Sequence, residues 1–336
     1  MNIAFLYNVR RHYPDPKDSR SQLEADFDDP KTIKVMISHF KSIASNVYPI
    51  EADEKAYLKL YRLKNKIDLV FNYAEGIFAK DREAQIPAML EMLKIPYTGS
   101  SPLTCAIVLN KVRTKEVLKN YHVPVLDQCV FENTDLSNFN LKFPVIVKPV
   151  SEGSSAGITK KSVINNIADL KKQVNYLIKS FNEPAMAEPF LTGREFSIAM
   201  IGNPPVILPI IEPNHKLLPK NYLPFDSLEV KWYFEEEGHA DYLVCPADIS
   251  NQFKRKIEKI CLASWKALNI FDYCRVDIKC DDKNNPYVLE VNSPPGMIPP
   301  EASMASYFPL AARTAGIDYK NLLKEIIETA LKRYKK

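Results

Sequence analysis

Two groups of residues have types and spacings suited to chemistry on an anionic substrate. In the first, the apolar run 143–149 (FPVIVKP) carries Lys148 near its end, and the loop behind it contains Glu152, Gly153, Ser154, Ser155, Ala156 and Gly157. A cation closing a buried strand beside small residues gathers one positive charge and several backbone N–H groups, which is a grip for phosphate. For Lys148 alone, a strand whose last lysine reaches solvent before a turn is the plainer reading. The loop tips the balance, because it holds two of only nine glycines in the chain.

The second group is Arg275-Val276-Asp277 followed by Tyr287-Val288-Leu289-Glu290-Val291-Asn292. Side chains alternate along a strand, so Arg275 shares a face with Asp277, and Glu290 with Asn292. Two carboxylates and an amide oxygen suit octahedral magnesium bound together with phosphate oxygens, and Arg275 suits a carboxylate or phosphoryl oxygen. A hairpin with solvated charges is the alternative, but unmatched carboxylates at i and i+2 on two apolar strands would repel one another. Glu188-Pro189-Phe190-Leu191 and Gly193-Arg194-Glu195 could form a hinge offering backbone groups to a purine edge and Glu195 to ribose hydroxyls. A plain hairpin turning at Thr192-Gly193 fits the same residues.

The elements that must position these groups fall into two patterns. An apolar run at 3–7, a polar loop at 10–29, a helical stripe of Ile33, Met36, Ile37 and Phe40 opened by Asp29-Pro30, further apolar runs at 47–50 and 69–71, and helices at 53–64 and around 86–93 alternate along the N-terminal part. Such alternation predicts a parallel sheet flanked by helices, closing near 96–99. Residues 101–120 read as one or two helices. From about 125 the chain changes to short strands (125–132, 143–149, 186–191, 195–201 and 206–211) that predict antiparallel sheet carrying a helix at 165–180. A helix at 252–268, strands at 273–278 and 286–291 and helices at 304–315 and 318–334 complete an α+β pattern. Residues 212–248, without clear periodicity, are long enough for a functional loop or lid.

Composition excludes several function classes. The 336 residues fit two or three domains, and 46% hydrophobic residues can form real cores. Lys+Arg number 45 against 41 Asp+Glu, and a net +4 is too small for a strong nucleic-acid footprint. No apolar run approaches the ~18 residues of a membrane span, and Met1 leads directly into Ile3 without a basic leader, so a cytoplasmic protein without membrane partners is expected. The six cysteines show no paired spacing and read as core residues. GxGxxG, GxxxxGK[ST] and HExxH are all missing. The basic end at 332–336 reads as a solvated helix terminus favoured by the macrodipole.

The ordered set VFNYAEG (70–76), IPYTGS (95–100), NKVRTK (110–115), FPVIVKP and EGSSAGI (143–149, 152–158), GREFSIAM (193–200), RVD (275–277), LEVNSPPGM (289–297) and PLAARTAGI (309–317) resembles the D-alanine-D-alanine ligases of the ATP-grasp superfamily over essentially the whole chain. The resemblance implies a mixed α/β and α+β fold of three domains. These are an N-terminal α/β substrate domain with a parallel sheet (1–99), a central ATP-grasp lobe (100–187), and a C-terminal antiparallel-sheet lobe with the metal site and lid (188–336). It also implies ATP between the lobes, two Mg2+ ions with Mn2+ as a substitute, small amino-acid substrates, a homodimer as in many relatives, and a role in making the peptidoglycan dipeptide. The implied reaction passes through an acyl phosphate and releases ADP and phosphate.

By position, Lys111 and Lys148 match the family's phosphate-contacting lysines, and Ser154 and Ser155 lie in the loop closing over the phosphates. Glu188, Leu191 and Glu195 match the adenosine hinge, and Asp277, Glu290 and Asn292 the magnesium ligands. Arg275, Lys231 and Ser155 are the expected catalytic residues, Arg275 steadying the acyl phosphate and Lys231 approaching the γ-phosphate from the lid. The departures lie on the amino-acid side. Glu75 stands where the family usually has histidine, the N-terminal glycine-rich loop with its ammonium-binding glutamate is absent, and Glu24 is the nearest substitute. Trp232 replaces the lid tyrosine, the segment between 297 and 311 is longer than usual, and Ser306 best matches the contact to the second substrate's carboxylate. ATP use is therefore better supported than D-alanine as substrate. The alternatives are a ligase for another amino-acid or peptide pair, and a nucleotide-binding regulator without turnover, against which the intact lysine, arginine and metal set argues.

Overall fold

A computed structural model describes residues 1–235 and 239–335; Gly238 of the long 212–248 segment and Lys336 of the basic terminus lie outside the described residues. The N-terminal unit runs β1 (Asn2–Tyr7), α1 (Pro30–Lys41), β2 (Asn46–Glu51), α2 (Ala56–Leu63), β3 (Leu69–Asn72) and α3 (Gln85–Leu93). Its strands form a parallel sheet in the order β2-β1-β3. Alternation divides the sheet's residues cleanly. Ile3, Phe5 and Phe71 pack with Met36 and Phe40 of α1, while Ala4, Leu6 and Val70 pack with Leu60, Ile86 and Leu90 on the other face. Helix α1 starts where it does because Asp29 accepts the Lys31 N–H and Pro30 fixes the first helical φ.

Next come α4 (Pro102–Leu109) and α5 (Lys111–Asn120), then β4 (Cys129–Phe131), β5 (Val145–Pro149), β6 (Val163–Ile164), α6 (Ile167–Phe181) and β7 (Ala185–Pro189). The strands make an antiparallel sheet in the order β4-β7-β5-β6. Val145, Val147, Ala185 and Ala187 face Leu170, Val174 and Leu177 of α6. Ile146, Lys148 and Glu188 are thereby turned to the opposite face, which lines the cavity described below.

The C-terminal part contains β8 (Glu195–Ile201), β9 (Val206–Ile207), the short β10 (Glu212–Pro213) and β11 (Leu243–Val244), α7 (Asn251–Ala267), β12 (Tyr273–Cys280), β13 (Pro286–Asn292), α8 (Tyr307–Thr314) and α9 (Tyr319–Tyr334). Strands β13-β12-β8-β9 form a second antiparallel sheet. Its outer face, with Phe196, Ile198, Cys274, Val276 and Ile278, packs on Ile257, Ile260, Cys261 and Trp265 of α7. Its inner face presents Glu195, Ser197, Arg275, Asp277 and Lys279 to the same cavity.

The antiparallel strands expected over 125–211 fall into two sheets, because β7 pairs with β5 and β4 whereas β8 pairs with β12. The chain crosses between them at 190–194. Val108 of α4 and Leu118 of α5 are buried with the C-terminal sheet, and β7 runs to Pro189. The basic terminus is not simply solvated. Arg333 turns inward to Asp272, which is fully buried, at 2.8 Å, and also donates to the carbonyls of Tyr97 and Gly99. Among the described residues no helix is long and apolar enough to cross a membrane.

Candidate active site

The two antiparallel sheets face each other across a cavity of about 290 Å3 that extends to the N-terminal unit. At one end Lys148 and Lys115 both contact the carboxylate of Glu188, all three being buried. Burial, with the Lys148 and Lys111 charges, lowers the Lys115 ammonium well below its usual range. Burial, reinforced by the neighbouring Lys111 charge, lowers the Lys148 ammonium to about 8. Lys111, the first residue of α5, donates to the Glu152 carbonyl and lies 3.9 Å from Glu290. Leu191 and Glu195 line the same end. Glu195 accepts from Lys279 at 2.7 Å and has His215 at 3.7 Å.

The loop after Lys148 is held in a shape that exposes its backbone. Ser154 and Ser155 have φ of 45° and 60°, a left-handed region sparsely used by residues other than glycine and frequent where N–H groups converge on an anion. Gly153 is required by crowding, since a Cβ there would lie 2.2 Å from an Asp26 carboxylate oxygen. Gly157 combines φ +72° with close contacts to Pro149, Phe181 and Leu177. The lid segment Val230–Phe234 clasps this loop. Trp232 Nε1 donates to the Ser154 carbonyl at 3.1 Å, Ser155 Oγ donates to the Asp226 carbonyl at 2.8 Å, and Lys231 faces the cavity.

Opposite the loop, the paired register of β12 and β13 sets Asp277 across from Glu290 and Arg275 across from Asn292. A bulge after Asp277 lets Val288 and Val291, three residues apart, both reach the outer core while Glu290 and Asn292 remain on the cavity side. Arg275 holds Asp277 with a fork of hydrogen bonds, Nε to Oδ1 at 2.9 Å and Nη2 to Oδ2 at 2.8 Å; Asn292 Nδ2 adds a bond at 3.1 Å, and Ser197 Oγ also donates to Asp277. Burial pushes the Glu290 carboxyl up, but Lys111, Lys231, Arg275 and Lys148 overcome this and hold it down at about 2. A fixed pair of carboxylates with an amide oxygen is a hard-donor set, and it fits Mg2+ by donor chemistry.

The remaining expected residues are distributed as follows. Glu75 and Ser306 line the cavity. Glu24 does not face it; its carboxylate accepts the Arg11 and His12 N–H groups at 2.6 and 2.9 Å, so it organises the loop instead. Asp26 and Asp28, which the sequence reading did not single out, line the cavity in its stead. Lys115, Lys279, Asp226 and Tyr307 were also not singled out. The Tyr307 hydroxyl lies within hydrogen-bond distance of both Asp226 Oδ2, at 2.9 Å, and Glu235 Oε1, at 3.0 Å, tying the lid to the first turn of α8. Burial pushes Asp226 up, yet its hydrogen bond and charge interaction with His215, together with Lys231, hold it well below the usual carboxylate range.

A family model described as D-ala D-ala ligase C-terminus matches residues 117–328. The chain is 34% identical over 267 residues to an uncharacterized protein, y4sG, of Sinorhizobium fredii, covering 79% of this chain and 75% of that protein. It is 30% identical over 299 residues to the D-alanine--D-alanine ligase of Aquifex aeolicus, covering 88% of this chain and 94% of that ligase. Among solved structures, the D-alanine--D-alanine ligase of Bacillus anthracis superposes with a TM-score of 0.73 at 25% identity, over 100% of this chain and 99% of that one. The same enzyme complexed with ATP gives a TM-score of 0.72 at 23% identity over the same shares. Matched over most of its length to sequences and folds of one kind, this chain belongs to the D-alanine--D-alanine ligase family and has the ATP-grasp fold.

Proposed function

We propose that this protein is an ATP-dependent carboxylate–amine ligase that joins two amino acids, with a D-alanine pair as the first reading from its named relatives and another amino-acid or peptide pair as the alternative. One observation carries the reading. Lys111, Lys148 and Lys231 face the oxygen donors Asp277, Glu290 and Asn292 in a cavity that continues past Arg275 to carboxylates able to receive an ammonium group. In this reading residues 1–99 supply most of the amino-acid end, and the two antiparallel sheets enclose the nucleotide.

The substrate carboxylate attacks the γ-phosphorus of ATP, its oxygen forming the new P–O bond as the bond to ADP breaks. The second amine then attacks the acyl carbon, phosphate departs with its electron pair, and the amine loses a proton. Lys148 and the Ser154–Ser155 backbone hold the anionic phosphates, and Glu195 with Leu191 receives the nucleoside. Arg275 offers its guanidinium to charge developing on the transferred phosphoryl group and the tetrahedral intermediate. Asp277, Glu290 and Asn292 would hold magnesium, which supplies charge neutralisation at phosphate oxygens. Trp232 and the lid exclude water that would hydrolyse the acyl phosphate, and Ser306 faces the incoming second substrate.

The test is a screen of D- and L-amino-acid pairs with MgATP, following nucleotide products and ligated products by mass spectrometry. ADP formed together with a dipeptide supports the reading. AMP as the nucleotide product, or no turnover with any pair, overturns it.

A further inference from the structure

Resting on the ligase reading, we infer that the amino-acid end of the cavity selects a substrate with a second cationic group, a basic or diamino acid, and that Glu75 and Glu83 receive that group. The chamber is the far end of the cavity that holds the lysines and oxygen donors, so its place in the site does not depend on its acids. Its walls carry Asp26, Asp28, Glu75, Glu83 and Glu152, and among the described lining residues only Arg10 and Lys111 bring positive charge near them.

The charges are unevenly balanced. Arg82, directly behind the wall, is fully engaged by Asp26 at 2.9 Å, Glu152 at 3.5 Å and the Ser151 carbonyl at 3.0 Å. Arg10 donates to the Phe27 carbonyl at 3.3 Å and lies 4.5 Å from the Trp232 ring centroid, near Asp28. Lys111 is bound to the Glu152 carbonyl and faces Glu290. Glu75 and Glu83 hydrogen-bond to each other, and among the described residues no ion pair reaches either.

Two carboxyl groups bonded to one another hold a proton between them, and Arg82, engaged by Asp26 and Glu152, acts on the pair only from a distance. The segments carrying them are locked together. Asn8 Oδ1 accepts the Glu75 N–H at 2.9 Å, and Gly76 lies so close to Arg82 that a Cβ would stand 2.2 Å from its carbonyl oxygen. These contacts fix the backbone that carries both carboxyls. Burial raises both carboxyls, with the Glu83 and Asp26 charges adding to the rise at Glu75 and the Asp26 charge at Glu83, while Arg82 opposes it at both.

An α-amino acid brings one ammonium group, for which Asp26 and Asp28 already offer carboxylates in the chamber. An alanine methyl group would then leave the Glu75–Glu83 pair facing an apolar surface, with its polar groups unmatched. A side-chain ammonium displaces the shared proton, ionises the pair and gives both carboxylates a partner. A hydroxyl or amide side chain could satisfy the proton-sharing pair as hydrogen-bond partner but would bring no charge to ionise it.

The experiment compares isosteres that differ in charge: 2,4-diaminobutyrate against norvaline, and ornithine against norleucine, in both chiralities, by ADP release with MgATP. Wild-type kcat/KM should favour the cationic member by about tenfold or more, the scale of a charged hydrogen bond. Glu75→Gln and Glu83→Gln should each erase most of that preference by raising KM for the cationic substrate, while ATP binding by calorimetry stays unchanged. A wild-type preference for the neutral isostere, for serine or asparagine, or a cationic preference retained in both variants would overturn the inference alone. Absence of ADP release with every amino acid would overturn the ligase reading and this inference with it.

Discussion

Lys148 and Lys115 share a single carboxylate, Glu188, and all three side chains are buried. The Lys148 ammonium, lowered to about 8 by burial and by Lys111, is therefore partly deprotonated near that pH, and an arriving polyphosphate raises it again. ATP binding should take up a proton at pH 8, and affinity should fall as pH rises further. Calorimetry in two buffers of different ionisation enthalpy checks this; identical apparent enthalpies would show that Lys148 does not titrate with binding. The neighbouring cation has a different task. Lys148→Ala should weaken ATP binding, whereas Arg275→Ala should mainly lower kcat, by roughly 10²-fold or more on the scale of lost oxyanion donors. Equal losses of ATP affinity would refute the division. Lys148, Arg275, Asp277, Glu290 and Asn292 were legible in the sequence because strand alternation places each relative to near neighbours. Lys115 and Lys279 were not, since their partners Glu188 and Glu195 lie 73 and 84 residues away and only the folded sheets bring them together.

At the scale of elements, the lid is the part whose existence could be read from length but whose fastening could not. Residues 212–248 lack periodicity, and nothing in them announces the helical turn Val230–Phe234 or its partners in the N-terminal loop. Tyr13 donates to the Trp232 carbonyl at 2.6 Å, Tyr233 donates to the Pro14 carbonyl at 3.1 Å, and the Trp232 ring meets Tyr13 edge-on. This clasp joins the lid, the phosphate loop and the amino-acid end. Trp232→Ala should loosen it, and its expected signature is uncoupling: ADP release continues while ligated product per ADP falls, because water reaches the acyl phosphate. An unchanged ratio of product to ADP would assign Trp232 to packing alone. The antiparallel strands were foreseen individually, and only the family resemblance split them between two lobes. Alternation fixes which face a residue takes and does not choose a strand's partner.

Across the whole molecule, the last helix ties the N-terminal unit to the C-terminal sheet. Asp272, fully buried, accepts from the Gly99 N–H at 2.8 Å, from Asn203 Nδ2 at 2.7 Å and from Arg333 Nη2 at 2.8 Å, linking the end of the N-terminal unit to β12 and α9. Asp272→Ala leaves a largely buried guanidinium and a buried N–H without their acceptor, and should cost about 3–5 kcal/mol in thermal or denaturant unfolding. A loss below about 1 kcal/mol on that scale would mean that water replaces the carboxylate there. The basic terminus gave no sign of this latch, since lysines and an arginine at a helix end are ordinary, and the buried acid is 61 residues away.

The central claim is that the cavity activates a carboxylate by phosphoryl transfer, and isotope transfer reads that event directly. With MgATP, the amino acid that best stimulates ADP release should be supplied labelled with 18O in its carboxylate, and the inorganic phosphate analysed by mass spectrometry. The account predicts one 18O atom in each phosphate released with the ligated product, because the oxygen that attacked phosphorus departs with it. Unlabelled phosphate beside labelled product, or label carried into AMP, would contradict it.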